Sequence, residues 1–469
     1  MSYASSTRQL GVQRPEANSL KVEKMTNRSR HTRLRRRMSL AAVAVATVCL
    51  VVPVATTATA ADAVPAPDYL IPYDGNIPAE LAEAGPVPEK FQTPGNADQR
   101  VLQLLAQAQV EHPELGVAGT EWDAENQRTL LYATASSADV AAVLSQYGLT
   151  DDVEHREAAY SREEMTTQIE SLIGDEGILP SGQAVVSAAP ALDGSSIELT
   201  IDEEYESSRM ALTVPDVGPD VHINYGEPYV ASVRDHTPGT TSTTSMRYSG
   251  ALMQSGYGCT TGFRGARVSD SRPAMLSADH CQLAPNSGPG WYYGSSTAHP
   301  LGVEQGTVVP PTGRPDMASW TGTGIFEMVP GILIGSHVVP GVTVHPIKGA
   351  VTTSVGSRVC YSGAFSGTMC GNIVTGVGLT VCYGAPVGCY NNLTVTKHEF
   401  GTSAAGQGDS GGPAYVSTGA GIYGAGFISG IRNTGQACTG DTGRQCSSEV
   451  LYAPIIDLFD SGFGISIIP

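Results

Sequence analysis

The chain has 469 residues, 41% of them apolar and 15% charged, with a formal net charge of −18. That length implies two or more domains, and the low charged fraction with 54 glycines suits a many-turned β protein. Residues 1–60 carry 10 Lys/Arg and 2 Asp/Glu, residues 61–240 carry 7 and 32, and residues 241–469 carry 10 and 11. A near-neutral C-terminal half speaks against nucleic-acid binding, and the acidic middle needs no role beyond a solubilising surface.

The N-terminus reads as a targeting signal. Arg33, Arg35, Arg36 and Arg37 precede an apolar stretch from Met38 to Ala55. Ala58-Thr59-Ala60 then gives the small–any–small pattern of signal-peptidase sites, so 1–60 is expected to be removed after Ala60. The rival reading is a transmembrane anchor, against which stand Pro53 and the small-residue exit. The long basic region leaves Met25 and Met38 as alternative starts, and its paired arginines hint at twin-arginine export. No other segment is long and apolar enough to span a membrane.

Residues 62–97 are proline-rich, as in Val64-Pro65-Ala66-Pro67 and Pro86-Val87-Pro88, and predict a linker or extended arm. Apolar spacing predicts a helix over 97–110. Residues 120–123 and 129–134 read as a hairpin, and 137–147 as a helix capped by Ser136 or Ser137. A strand over 153–158 and a helix over 161–172 follow, the latter with Ser161 and Glu164 in capping-box spacing. Further strands are expected within 183–201 and at 210–214. The segment is therefore α+β, with lobes near 98–175 and 183–230. The stretch His236-Thr237-Pro238-Gly239-Thr240-Thr241-Ser242 reads as flexible and easily cut.

The chemistry concentrates after it. Gly408-Asp409-Ser410-Gly411-Gly412-Pro413 presents a serine on a glycine-fenced turn, where the missing Cβ atoms permit unusual backbone angles and close approach. Such a turn points the amides of Gly408 and Ser410 into one space, able to hold an oxyanion. The plain alternative is a glycine-rich turn that happens to contain serine. A nucleophilic serine needs a base and the base an orienting group. Ser277-Ala278-Asp279-His280-Cys281 offers the base. Between His280 and the Ser410 turn the acidic residues are Glu304, Asp316, Glu327 and Glu399. Asp316, the one aspartate, has apolar neighbours that suit a buried strand end, where a carboxylate needs hydrogen-bond partners. With Cys49 lost in the signal, eight cysteines remain, at 259, 281, 360, 370, 382, 389, 438 and 446. An even set in an exported chain reads as a disulfide framework, open to 105 pairings.

The order His280, Asp316, Ser410, with Gly258-Cys259-Thr260-Thr261-Gly262-Phe263, Val359-Cys360-Tyr361-Ser362-Gly363 and Tyr452-Ala453-Pro454-Ile455, resembles the chymotrypsin-fold serine proteases. The closest likeness is to their secreted bacterial branch of streptogrisins and α-lytic-like proteases, over about 200 residues from Met246 to Leu458. The resemblance implies an all-β catalytic domain, 241–469, of two antiparallel six-stranded Greek-key barrels (trypsin-like). It implies that 61–240 is a pro-region that assists folding and then inhibits the enzyme, and that the mature chain starts between Asp235 and Tyr248. Pairings Cys259–Cys281 and Cys360–Cys370 follow from it, and Cys382–Cys389 and Cys438–Cys446 then follow by proximity. The implied activity is that of a secreted serine endopeptidase with His280, Asp316 and Ser410 catalytic and no metal or organic cofactor. Expected partners are protein or peptide substrates and the pro-region. Nucleic acid, and membrane after processing, are not expected, and the enzyme is expected to be a monomer.

The pocket base is expected from Thr402-Ser403-Ala404-Ala405, with Ala404 inside and Gln407 at the rim. The other wall is expected from Ile428, Ser429, Gly430 and Ile431, with the backbone of 429–431 pairing with the substrate as an added strand. An apolar pocket for small to medium side chains follows, and no carboxylate favours Lys or Arg. Two positions depart from the relatives. Asp279 replaces a small residue beside the base, and would act on the imidazole if it lay close or compete as its orienter. Tyr361 replaces an arginine that pairs with the aspartate before the nucleophile, leaving the Tyr361 hydroxyl or Arg358 as partner for Asp409. These departures support the competing reading of a catalytically impaired secreted binding protein on a protease scaffold.

Overall fold

The computed structural model describes residues 70–96, 98–173, 185–208, 217–231, 234–235, 247–255, 257–283, 290–294, 299–307, 314–322, 325, 328–338, 341–384, 387–419, 421–458 and 461–468. The signal segment, the expected strand at 210–214 and the stretch 236–242 lie outside the described residues. Among those described, no helix is long and apolar enough to cross a membrane.

The C-terminal barrel is a closed ring of six antiparallel strands. Arg358–Gly363 pairs with Gly367–Cys382, which pairs with Cys389–His398. The ring continues through Glu449–Pro454, Gly421–Arg432 and Pro413–Thr418, and returns to Arg358–Gly363. Strand alternation sends Val359, Tyr361, Ala414, Val416, Ile428, Val450 and Tyr452 into one buried cluster. The N-terminal barrel runs antiparallel through Tyr257–Thr260, Leu252–Gln254, Trp291–Tyr293, Pro300–Thr307, Ala318–Thr321, Pro273–Ser277 and Arg264–Arg267. Its interior is built on Trp291 and Trp320, edge to face at 5.8 Å, with Met253 and Met275.

The acidic segment is α+β. Val117–Asp123 and Arg128–Ala133 form the expected hairpin, and Val153–Glu157 adds in parallel. Helices Gln99–Glu111 and Ser137–Gln146 pack Leu104, Leu105, Val140 and Leu144 onto Leu131. The cap of the second is Ser136, which accepts from the Asp139 amide. Helix Arg162–Ile173 opens on the expected box: the Ser161 amide donates to Glu164 at 2.8 Å and the Glu164 amide to Ser161 Oγ at 3.2 Å.

That helix covers a three-stranded sheet of Val185–Pro190, Ser196–Asp202 and Asp220–Gly226. The last strand was not read from the sequence, although Val221, Ile223 and Tyr225 alternate with polar residues as a half-buried strand requires. The sheet joins the C-terminal barrel, with Ser187 and Ala188 pairing antiparallel with Val381 and Thr380. The proline-rich stretch is a docked arm. Leu70–Pro72 lies parallel to Ile465–Ile467, Leu81 enters the N-terminal core, and Val87 packs with Tyr415 and Ile422.

Candidate active site

The site forms where the barrels meet. Strand Pro273–Ser277 delivers His280 onto a single helical turn, His280–Leu283. Ser277 pairs with Ala318, which brings Asp316, just before its strand, beside His280. The imidazole Nδ1 lies 2.6 Å from Asp316 Oδ2, and the His280 amide donates to Oδ1 at 2.9 Å. A carboxylate there holds the proton on Nδ1 and leaves Nε2 to accept from Ser410 Oγ, 2.8 Å away. All three residues are fully buried. Burial alone would push the Asp316 carboxyl up, but His280 and the Ser429 hydroxyl hold it below the ordinary carboxylate range. A depressed carboxyl stabilises the fold above its unfolded value of about 4, and that contribution is lost as the pH falls through the folded value.

The Ser410 turn is fixed from both sides. The Gly411 amide donates to Ile428 O at 2.7 Å, the Ile428 amide to Gly412 O at 2.8 Å, and the Thr260 amide to Ser410 O at 2.7 Å. Gly408 sits at φ +99°, where a Cβ would come within 2.5 Å of the Phe365 ring. Among the described residues, the amides of Asp409, Gly411 and Gly412 find acceptors, while those of Gly408 and Ser410 have none. Two unengaged donors on the turn that carries the hydroxyl are what an anion hole requires.

Asp409 corrects the sequence expectation twice. The Tyr361 hydroxyl bonds Thr396 Oγ1 at 2.6 Å, and Arg358 faces Glu399 at 3.7 Å. Tyr361 cannot reach Asp409, because strand alternation turns its ring into the barrel, 6.2 Å from that of Tyr452. The cation is Arg444, a residue not singled out from the sequence, whose Nη1 lies 2.8 Å from Asp409 Oδ2. Both side chains are fully buried. Asp409 also accepts from the amides of Gly406, Phe365 and Ser366 and from the Ser366 hydroxyl. Arg444 also donates to Gln407 O, Asp441 O and Thr439 O, all within 3.1 Å. Tyr361→Phe therefore removes one bond remote from the turn. It is expected to cost about 1 kcal/mol in a thermal melt and to leave kcat/KM within about twofold of the parent.

Asp279 does not orient the base. Its carboxylate accepts from Arg314 Nη2 at 2.9 Å and Tyr390 Oη at 2.8 Å, and from Gln282. The orientation of Asp316 is instead reinforced from the opposite wall. Ser429, expected to act through its backbone, donates its hydroxyl to Asp316 Oδ2 at 2.5 Å. Tyr383 Oη lies 2.7 Å from Ser429 Oγ, and its ring centroid 6.0 Å from that of His280. No local motif announces Tyr383, whose place depends on the hairpin closed by Cys382–Cys389. All four expected disulfides are present.

Three of the residues expected at the pocket belong to the core cluster of the C-terminal barrel. Ala404, Ile428 and Ile431 are buried in one apolar cluster with Ala405 and Val450, while Gln407 lies outside it and bonds Gln445 at 3.1 Å. Beside Gly430 and Ile431 the chain supplies its own added strand: Ala231 pairs antiparallel with Gly430, and Val230 with Ile431. Past the site, Arg234 and Asp235 pair with Gly258 and Tyr257.

The fold is chymotrypsin-like. No family model matches the chain, and no curated protein matches it. Solved structures that it resembles include bacterial chymotrypsin-fold serine proteases. A glutamic acid-specific serine protease that uses a histidine triad in substrate binding is 22% identical, covering 47% of this chain and 100% of its own, with a TM-score of 0.34. Thermobifida fusca protease A is 25% identical, over 47% and 98%, with a TM-score of 0.33. A Nocardiopsis protease is 24% identical, over 47% and 98%, with a TM-score of 0.32.

Proposed function

We propose that the protein is a secreted serine endopeptidase made as a precursor, with a signal over residues 1–60, an acidic pro-region from residue 61 and a C-terminal catalytic domain. The observation that carries this reading is the unbroken line from Asp316 through His280 to Ser410, at 2.6 and 2.8 Å. In that line Ser410 Oγ attacks a peptide carbonyl as His280 Nε2 takes its proton. The tetrahedral oxyanion is received by the amides of Gly408 and Ser410. His280 then gives the proton to the leaving amine, and water releases the acyl group by the same route. Asp316 holds the tautomer and stabilises the imidazolium.

The competing reading of an impaired binding protein loses its support, since Asp279 is engaged by Arg314 and Tyr390, and Asp409 by Arg444. The segments expected to line the pocket, Thr402 to Ala405 and Ile428 to Ile431, are apolar or small and hold no carboxylate, which favours small apolar side chains before the cut.

The pro-region blocks the cleft with its own end, paired as a substrate strand at 230–231 and again at 234–235. That double pairing favours a processing cut between Ala231 and Arg234, upstream of the stretch from Asp235 to Tyr248 expected from the sequence. Export of the full chain is expected to yield a mature enzyme whose N-terminus maps within 232–234 and whose Ser410 takes a fluorophosphonate label. A processed chain that takes no label, or takes it elsewhere, would overturn the reading.

A further inference from the structure

The segment in the cleft is anchored by a side chain that the pairing does not require. Tyr229, two residues before Ala231, is 4% exposed, against surfaces contributed by residues after 241. The Arg432 guanidinium lies over its ring at 4.7 Å. Its hydroxyl donates to Glu449 Oε1 at 3.3 Å. The site is built rather than incidental: Arg432 Nη2 meets Glu449 Oε1 at 2.5 Å, and Asn433 Nδ2 donates to Oε2 at 3.0 Å. Pairing of Arg432 with Glu449 across adjacent strands fixes the two charges at the cleft edge. Tyr383 and Val387 supply apolar neighbours in the cluster that holds the Tyr229 ring.

Three chemistries coincide there: a cation facing a π surface, an acceptor for a phenol, and an apolar floor. A lysine would meet Arg432 as a like charge, and a small side chain would leave the cation without a ring. The occupant belongs to the pro-region, whereas Arg432, Glu449 and Asn433 belong to the catalytic domain and stay with it after processing.

We propose that Arg432 and Glu449 form a substrate subsite for an aromatic side chain, tyrosine above all. It would take the residue two positions before the one that pairs with Gly430. The inference rests on the protease reading, and extends it from the cut itself to a second point of recognition several residues upstream. The enzyme would then select sequences by a small residue at the cut and an aromatic residue ahead of it, as its own 229–232 stretch of Tyr, Val, Ala and Ser provides.

The test uses enzyme matured from the full chain and the rate at which a fluorophosphonate labels Ser410. Synthetic peptides of residues 226–235 are added as competitors, with Tyr229 kept or replaced by Phe, Leu, Ala or Lys. Competition reports affinity whether or not a peptide is cut. The tyrosine peptide is expected to slow labelling at concentrations about tenfold or more below the alanine peptide. Phenylalanine should lie close to tyrosine, and lysine should be weakest. Arg432→Gln should narrow the tyrosine-to-alanine ratio, and the peptide series on the parent enzyme stands if that variant misfolds. Equal competition by all five peptides, or by none, would sink the subsite while labelling itself proceeds. Absence of labelling would instead sink the protease reading.

Discussion

Ser410→Ala is expected to lower kcat by about six orders of magnitude and to leave the exported chain uncut between Ala231 and Arg234. The hydroxyl has Nε2 of His280 2.8 Å away to remove its proton as it attacks. Because the three groups act as a unit, removing His280 as well adds little. Asp316→Asn should cost about four orders of magnitude, since the amide presents the wrong partner to Nδ1. The measurement is twofold: turnover of a casein or peptide substrate, and the size of the secreted chain. A Ser410→Ala protein that is still cut there would show that another protease removes the pro-region. One that also hydrolyses substrate would end the mechanism.

Arg444→Met should be the most damaging substitution outside the triad. Asp409 is fully buried, and Arg444 is its cation, itself buried and donating to two carbonyls of its own loop and to Gln407 O of the Ser410 loop. Removing one partner of such a pair leaves an uncompensated charge in the interior, at a cost of about 3–5 kcal/mol. A thermal melt should register this as a drop on the order of 10 °C. The effect reaches chemistry because Asp409 lies between Gly408 and Ser410, and a loosened turn misplaces both anion-hole amides. A fall of about 10²–10³ in kcat is the scale of losing one such donor. Asp409→Asn added to Arg444→Met should restore part of the stability, because no unpaired charge is then buried. If the single variant melted with the parent, the pair would not hold the turn.

The meeting of Asp316, His280 and Ser410 was legible because its parts are local signals in a fixed order. The glycine-fenced Ser410, the His280-Cys281 pair and a lone aspartate at Asp316 each depend only on neighbours in the chain. The helices of the acidic segment were legible for the same reason, through apolar spacing and the caps at Ser136 and Ser161. What failed was partner choice across distance. Tyr361 sits where relatives place the cation, but a strand residue points to one face only, and this one turns inward to Thr396. Arg444 lies in an eight-residue disulfide span far along the chain, and the single basic residue in that loop was the available signal. Tyr383, Arg432 and Glu449 owe their roles to strand register, which a sequence specifies through its core pattern rather than at the residues themselves.

The covalent frame also decides where this chemistry can run. Cys281 directly follows the base, and Cys446 closes the loop that supplies the counter-cation of Asp409. Cytosolic thiols keep such bridges open, so a chain that folds before export has neither clamp. On the proposed reading, hydrolytic power would be coupled to an oxidising exterior, and the producing cell would be spared its own product by redox chemistry as well as by the pairing of Val230 and Ala231 with Ile431 and Gly430.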